Sequence, residues 1–343
     1  MKSSDRTINN HIQQRLMIIA GIIIVIYAII LSIAPSIKFH SGFDQLNYLH
    51  WAGVFVWIAT FSFLHFQSTR LLTHRDPFIL PITALLSGFG LLTIWRLYPE
   101  LGQRQSIWLI LAGILFFTGI KFSDLLTYLR RYKYLWLTLG LMLTLLTIFW
   151  GTNPGGSGPK LWLRIFNVHF QPSEPLKLLL IIFLAGFFTD RLLAVYGKAR
   201  TLLPTFFLTG IALLLLVYQQ DLGTASIFLL LYFGMLYISR GNKWMIGLVP
   251  ALVLLTGLMG YFLVDIVQIR IDSWLNPFSD PSGASYQVIQ SLIGIAEGGL
   301  IGTGVGLGNP RLIPVSVSDF IFSAIAEELG FFSNTSIAST GSL

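Results

Sequence analysis

Charged side chains within or beside apolar segments are the residues of this sequence best suited to chemistry. An ionised group in a lipid environment is costly unless it faces a cavity, a ligand or an opposite charge. The residues that fit this description are Glu174, Lys177, Asp221, Asp319, Glu327 and Glu328. Each could therefore bind or transform a polar ligand at the edge of a membrane.

Ordinary structural roles compete with that interpretation. Ser173 and Asp221 stand where helix N-caps are expected, and Glu174 suits the positive end of a helix dipole. Lys177 follows Glu174 by three residues, a spacing that predicts an ion pair on one helix face. Three acids in the last apolar segment are harder to explain by packing, and their density favours a functional role.

A further acid, Asp280, lies in the loop sequence Asn276-Pro277-Phe278-Ser279-Asp280-Pro281. An acid beside proline and serine is usually a turn residue. A positioned carboxylate can also act as a general base that takes the proton of a hydroxyl group. The residues alone leave both roles open.

The glycine-rich run Gly298–Gly308 does not match the register of a nucleotide-binding loop, so close packing together with a flexible lid is the preferred interpretation. No spacing of ligand-type residues indicates a metal site, and the chain has no cysteine. The sequence leaves open whether a divalent cation assists as a cofactor.

The composition of the chain indicates which kind of secondary structure positions these residues. Only 11% of the 343 residues are charged and 54% are hydrophobic, whereas soluble domains contain about 25% charged residues. A soluble protein is therefore excluded. Apolar segments of helical length predict an all-α polytopic membrane protein with about ten transmembrane helices, at 16–34, 48–66, 78–96, 106–122, 133–150, 174–189, 202–218, 222–238, 244–264 and 317–332.

Basic residues predict the orientation of these helices. With the N-terminus in the cytoplasm, 14 of the 22 Lys and Arg residues lie on the cytoplasmic side and 8 on the other. Two long loops, 151–173 and 265–316, then lie outside. The second contains 286–296, too short to span, which predicts a re-entrant or interfacial helix. No basic cluster with interleaved aromatics occurs, so nucleic acid is not an expected partner.

Read together, the motifs resemble the SEDS family (shape, elongation, division and sporulation) of FtsW/RodA/SpoVE-like peptidoglycan glycosyltransferases. Their order and spacing match from about residue 78 to 331. The matching residues are Arg96 with Arg104, Gln105 and Trp108; Gly158–Trp162; Gln171–Glu174 with Lys177; Asp221–Thr224; Asn276, Pro277, Asp280, Pro281, Tyr286 and Gln287; and Pro314, Ser318–Phe322 and Glu327–Gly330.

The resemblance implies an inverting glycosyltransferase that polymerises lipid II on the outer face of the bacterial cytoplasmic membrane, with Asp280 as the catalytic acid of the loop. It implies cations and an aromatic ring for binding the diphosphate and lipid II, for which the candidates are Lys160, Trp162, Arg164, Lys177, Arg270, Arg96 and Arg104. Supporting motif residues are Glu174, Asp221, Tyr286, Gln287, Asp319, Glu327 and Glu328.

The implied partners are lipid II, membrane lipid, a class B penicillin-binding protein and proteins of the elongasome or divisome. The expected organisation is an additional N-terminal pair of spans at 1–77, a SEDS-like membrane domain at 78–332 that lacks about two further spans of the family, and a polar tail at 333–343. That shortening predicts a less stable and less active chain. The alternatives are a lipid II flippase or other transporter, or a non-catalytic scaffold for a penicillin-binding protein.

Overall fold

The computed structural model describes residues 2–40, 46–72, 75–122, 124–154, 159–165, 168–190, 198–240 and 244–340. These residues form thirteen α-helices and one small antiparallel sheet. In chain order the elements are α1 Lys2–Phe39, α2 Trp51–Leu71, α3 Ile79–Leu97, α4 Pro99–Lys121, α5 Leu125–Arg131, α6 Lys133–Trp150, β1 Gly151–Thr152, β2 Trp162–Ile165, β3 Val168–Phe170, α7 Ser173–Asp190, α8 Lys198–Tyr218, α9 Leu222–Arg240, α10 Trp244–Leu263, α11 Asp265–Leu275, α12 Tyr286–Gly298 and α13 Ile321–Thr340.

The chain forms two compact units. The first comprises Met1–Phe122 and Ile269–Leu343, and the second comprises Ser123–Gln268. Helix α11 crosses the division between them.

In the first unit, helices α1 to α4 pack around buried tryptophans. The indole N–H of Trp57 donates to the carbonyl of Ala84 at 2.8 Å, and that of Trp95 donates to the hydroxyl of Ser106 at 3.0 Å. Trp95 lies against Gly53 and Gly102. Small residues let membrane helices approach closely, and both indole donors are satisfied inside the apolar core.

The same unit also contains a helical hairpin from the C-terminal part of the chain, in which α12 packs along α13. The buried hydroxyls of Ser291 and Ser323 lie 2.6 Å apart across this contact. Helix α12 confirms the helix predicted at 286–296.

The second unit is built on α6, α7, α8 and α9, whose core includes Phe183, Phe187 and Phe228. Gly140 of α6 lies against Leu176 of α7. The side-chain amide of Gln219 donates to the carbonyl of Thr144 at 2.8 Å, which joins the end of α8 to α6.

Strands β1, β2 and β3 form an antiparallel sheet in that order within the first long loop. Leu163 of β2 pairs with Gly151 on one side and Phe170 on the other. The apolar pattern of the sequence predicts neither this sheet nor the helices α5 and α11.

Apolar helices with exposed apolar faces identify the environment as lipid. Within the described residues, five helices are long and apolar enough to cross a membrane, and six if a bent pair counts as one span. Only 11% of the apolar stretch of α4 is buried. Such a surface in water would be a large unprotected patch. The chain is therefore an all-α polytopic membrane protein, as predicted.

Each of the ten predicted spans coincides with a helix over most of its length. The five that pass the length and hydropathy test lie in α1, α3, α4, α6 and α9. The last predicted span, 317–332, begins too early, because residues 317–320 form turns and α13 starts at Ile321.

Candidate functional site

Two acids of the last apolar segment, Glu327 and Glu328, have partners. Glu327 and Glu328 are each 2% exposed. Glu328 forms an ion pair with Arg96 of α3 and accepts a hydrogen bond from the backbone N–H of Gly306 at 3.1 Å. Glu327 accepts from the backbone N–H of Asn309. The glycine-rich loop and α3 therefore supply the donors that two buried acids in an apolar segment require.

The third acid, Asp319, is not part of this cluster. It is exposed and lies in the turns before α13 rather than in the helix. Its predicted placement within the last span is therefore wrong. The helix starts later than the apolar pattern suggests, after Phe320.

The glycine-rich loop packs directly against α13. The N–H groups of Thr303 and Gly304 donate to the carbonyls of Glu327 and Glu328 at 2.9 and 3.1 Å. Gly302 has φ +89°, and a Cβ atom there would lie 2.2 Å from the carbonyl oxygen of Glu328. A side chain cannot occupy that space. The close-packing interpretation of the glycine run is confirmed.

A cavity of about 620 Å³ lies beside this loop in the first unit. Three cations line it: Lys38 at the end of α1, Arg96 at the end of α3, and Arg311 beyond the glycines. Of these three, only Arg96 is among the ligand candidates predicted from the sequence; Lys38 and Arg311 count there only among the eight basic residues assigned to the outer side. The sequence gives no signal for their convergence, because they belong to segments far apart in the chain.

Asp280 follows a short 3-10 turn, Pro277–Ser279, at the end of α11. It is exposed, and its Oδ2 accepts a hydrogen bond from the backbone N–H of Ala284 at 2.9 Å. A Cβ atom at Gly283 would lie 2.1 Å from the same oxygen, so the absence of a side chain there makes room for the carboxylate. Asp280 therefore closes a turn with one oxygen while the side chain stays accessible.

Tyr286 and Gln287 lie in the first turn of α12, shortly after this turn, and both are exposed. Arg270 on α11 and Arg104 on α4 are exposed as well. Within the described residues of the first unit, no hydrogen bond or ion pair joins Asp280 to Arg96, Arg104 or Arg270. The contacts thus assemble Arg96 with the acidic pair and leave Asp280 in a separate turn.

Residues of the second unit show the predicted local interactions at the start of α7. Lys177 Nζ lies 2.8 Å from Glu174 Oε1, which confirms the ion pair. The predicted N-cap at Ser173 is wrong, because α7 begins at Ser173 itself and its hydroxyl accepts a hydrogen bond from the side-chain amide of Gln171 at 3.0 Å. The carbonyl of Pro172 accepts the first helical hydrogen bond, from the N–H of Leu176 at 3.2 Å, so the helix begins one residue earlier than the cap pattern suggests.

Asp221 caps α9, as predicted. Its Oδ1 accepts from the backbone N–H of Thr224 at 3.2 Å. Its Oδ2 is buried and has no hydrogen-bond partner among the described residues. A buried carboxylate oxygen of this kind ordinarily has a partner, so Asp221 remains a candidate for a polar ligand.

The small sheet presents the remaining candidates. Lys160 precedes β2 and is exposed, as is Arg164 within the strand. Trp162 is half-buried and pairs with Thr152, whose hydroxyl donates to its carbonyl at 3.1 Å. The sheet therefore places Trp162 and Arg164 two residues apart on one strand, and Lys160 lies just before that strand.

Comparison with known proteins assigns the family. Residues 96–337 match the model of the FtsW/RodA/SpoVE family, described as a cell cycle protein. The chain belongs to the FtsW/RodA/SpoVE family. The matched range contains every candidate site residue from Arg96 to Glu328, and the predicted SEDS resemblance is confirmed.

Three members of the FtsW/RodA/SpoVE family illustrate the similarity. Peptidoglycan glycosyltransferase RodA of Mycobacterium tuberculosis is 32% identical over 304 residues, which cover 82% of this chain and 64% of the relative. Stage V sporulation protein E of Bacillus subtilis is 31% identical, covering 77% of this chain and 75% of the relative. A probable peptidoglycan glycosyltransferase FtsW of Halothiobacillus neapolitanus is also 31% identical, with 77% and 65% covered. This chain thus spans slightly less than two thirds of the length of the mycobacterial relative.

Proposed function

We propose that this FtsW/RodA/SpoVE family member is a peptidoglycan glycosyltransferase that polymerises lipid II at the outer face of the bacterial cytoplasmic membrane. The observation that supports the proposal is the family match over 96–337, which spans Asp280 and all the cationic candidates. Relatives with 32% and 31% identity bear the name peptidoglycan glycosyltransferase. A lipid-linked substrate also suits an enzyme built almost wholly of apolar helices.

In the proposed reaction, Asp280 is the general base. The acceptor sugar's 4-hydroxyl attacks the anomeric carbon of the donor, its proton passes to the carboxylate, and undecaprenyl diphosphate leaves with inversion at that carbon. A sugar hydroxyl is a weak nucleophile until a positioned base removes its proton. The hydrogen bond from Ala284 N–H fixes the orientation of the carboxylate, and its exposure lets an acceptor approach.

The leaving diphosphate requires positive charge. Cations held at a membrane-edge site stabilise the charge that develops on a leaving group. Lys160, Arg104 and Arg270 are exposed and suit direct contact with a ligand, whereas Arg164, which is also exposed, already has an interaction within the chain. Arg96 and Lys177 already face Glu328 and Glu174, so we assign them a weaker contribution to diphosphate binding.

The other motif residues have supporting roles in this proposal. Glu327 and Glu328 position the glycine-rich loop, Glu174 positions Lys177, and Asp221 caps α9 with one oxygen. Tyr286 and Gln287 lie on the accessible start of α12, close in sequence to Asp280, where they could contact a sugar. Among the described residues, no contact assigns the exposed Asp319 a more specific role.

We propose a cytoplasmic N-terminus, with both long loops and Asp280 outside, on the basis of the distribution of Lys and Arg. The proposed partners are a class B penicillin-binding protein, which crosslinks the glycan, and proteins of the elongasome or divisome. The proposed organisation is the N-terminal pair of spans at 1–77, the SEDS-like domain at 78–332 and the tail at 333–343.

The test is reconstitution of the full chain with its penicillin-binding partner, followed by incubation with lipid II and separation of the products on a gel. The proposal predicts a ladder of glycan strands that is absent without the chain. Movement of lipid II across a vesicle membrane without any polymer would establish the flippase alternative instead. Normal polymer synthesis by the partner alone would favour the scaffold.

A further inference from the structure

We propose that the cavity at the ends of α1 and α3 is a binding site for the phosphate group of a membrane phospholipid. The cavity has a volume of about 620 Å³, which falls in the usual range of ligand pockets, about 300–1,000 Å³. Lys38, Arg96 and Arg311 line it, and none of its described lining residues is acidic. This inference is independent of the proposed glycosyltransferase activity.

The surrounding backbone holds the three cations in place. Lys38 Nζ donates to the carbonyl of Gly308 at 2.9 Å and to Asn309 Oδ1 at 2.6 Å. Arg96 Nη2 donates to the same Gly308 carbonyl at 3.2 Å. Arg311 Nη2 donates to the carbonyl of Leu97 at 2.6 Å. The side chains are therefore ordered before any ligand arrives, which lowers the entropic cost of binding.

These contacts leave donors for a ligand. An ammonium group has three N–H donors and a guanidinium group has five. The hydrogen bonds of Lys38 use two donors, and that of Arg311 uses one. A phosphate oxygen could accept the remaining bonds, and charge-assisted bonds of this type are the stronger ones.

Positive charge exceeds negative charge around the cavity, although Lys38 interacts electrostatically with both Glu327 and Glu328. Glu328 is paired with Arg96, and Glu327 accepts from Asn309 N–H. Both carboxylates are 2% exposed and neither lines the cavity. An anion that enters would meet three cations offset by two buried carboxylates, in a setting where apolar surroundings weaken solvent screening.

Structural roles explain only part of this arrangement. Lys38 lies in the last turn of α1, where a cation suits the helix dipole, and Arg311 satisfies a terminal carbonyl of α3. Either role needs one cation at one helix end. Neither accounts for three cations from separate segments around one open cavity.

The apolar part of the lining points to a lipid rather than a soluble anion. Leu31, Pro35 and Phe39 of α1 contribute to the wall. Ile33 and Ile37 of the same helix are 38% and 58% exposed and offer an adjoining surface for acyl chains. Helix α1 also lies before residue 96, where the family match begins, so Lys38 extends the site beyond the matched region.

The experiment is native mass spectrometry of the full chain, titrated with phosphatidylglycerol or with phosphatidylcholine of the same acyl chains. We expect tighter binding of phosphatidylglycerol. Lys38→Ala and Arg311→Ala should each weaken that binding by roughly tenfold to a hundredfold, the range that follows from losing a bond to a charged group. Lys38→Arg keeps the charge and should retain most of the affinity.

The matched control is Lys121→Ala, which removes one exposed lysine from the last turn of α4 in the same unit. It should leave binding unchanged. Equal affinity for the two lipids, or equal losses in the Lys121 and Lys38 variants, would overturn the proposal. So would binding of inorganic diphosphate that depends on Lys38 and Arg311 while phosphatidylglycerol does not bind, because the site would then take a soluble anion.

Discussion

Glu328 links three distant segments of the chain through one carboxylate. It belongs to α13, its ion-pair partner Arg96 belongs to α3, and its backbone partner Gly306 lies in the glycine-rich loop. Removing one partner from a buried ion pair leaves an uncompensated charge, which costs far more than the pair itself contributes. The stability of the chain therefore depends on both residues being present together.

The variant Arg96→Met tests whether stability depends on this ion pair. The unfolding free energy should fall by about 3–5 kcal/mol, since Glu328 would remain as a buried charge. The double variant Arg96→Met/Glu328→Leu should recover much of that loss. Chemical unfolding in detergent, monitored by circular dichroism, measures both. A single variant as stable as the unaltered chain would show that the pair has no such role.

At the scale of elements, the glycine-rich loop connects α1 to α13 by close backbone approach. Gly306 has φ +81°, and a Cβ atom there would lie 2.3 Å from the Cβ of Ala34 in α1. Gly306→Ala should therefore destabilise the chain by more than the roughly 1 kcal/mol that a glycine replacement alone can add or remove. Gly119→Ala in α4 is the matched control, because nothing lies within 4 Å of its added Cβ.

Thermal unfolding of the two glycine variants compares them directly. The alanine at 119 should leave the transition unchanged or raise it slightly, since alanine is the better helix former. The alanine at 306 should lower it. Equal unfolding temperatures for the two variants would mean that the loop accommodates the alanine without a loss of stability and does not hold α1 in place.

Features that depend on neighbouring residues could be predicted from the sequence, and contacts between distant segments could not. Apolar runs of helical length placed helices at all ten predicted spans, and short spacing gave the ion pair of Glu174 with Lys177 and the cap at Asp221. The small sheet was missed because strands of two to four residues have no usable periodicity. The partners of Glu327 and Glu328 were missed because no local pattern specifies a contact with α3 or the loop.

At the scale of the whole molecule, the orientation of the chain determines on which side of the membrane the two long loops lie. The chain has no cysteine, so single cysteines report unambiguously. Ser282→Cys and Pro154→Cys, at exposed positions in the two long loops, should react with a membrane-impermeant maleimide in intact cells. Lys121→Cys should react only after lysis. The reverse pattern would place Asp280 in the cytoplasm and contradict the proposed site of polymerisation.

The most direct test of the proposed function is the initial rate of lipid II polymerisation by the Asp280→Asn chain with its penicillin-binding partner present. Asparagine keeps the size of the side chain and an oxygen for Ala284 N–H but removes the basicity. The rate should fall by roughly 10²–10⁴-fold, the usual contribution of acid-base catalysis. Asp272→Asn, on α11 in the same loop, should retain most of the activity. Near-normal glycan synthesis by the Asp280→Asn chain would contradict the catalytic assignment.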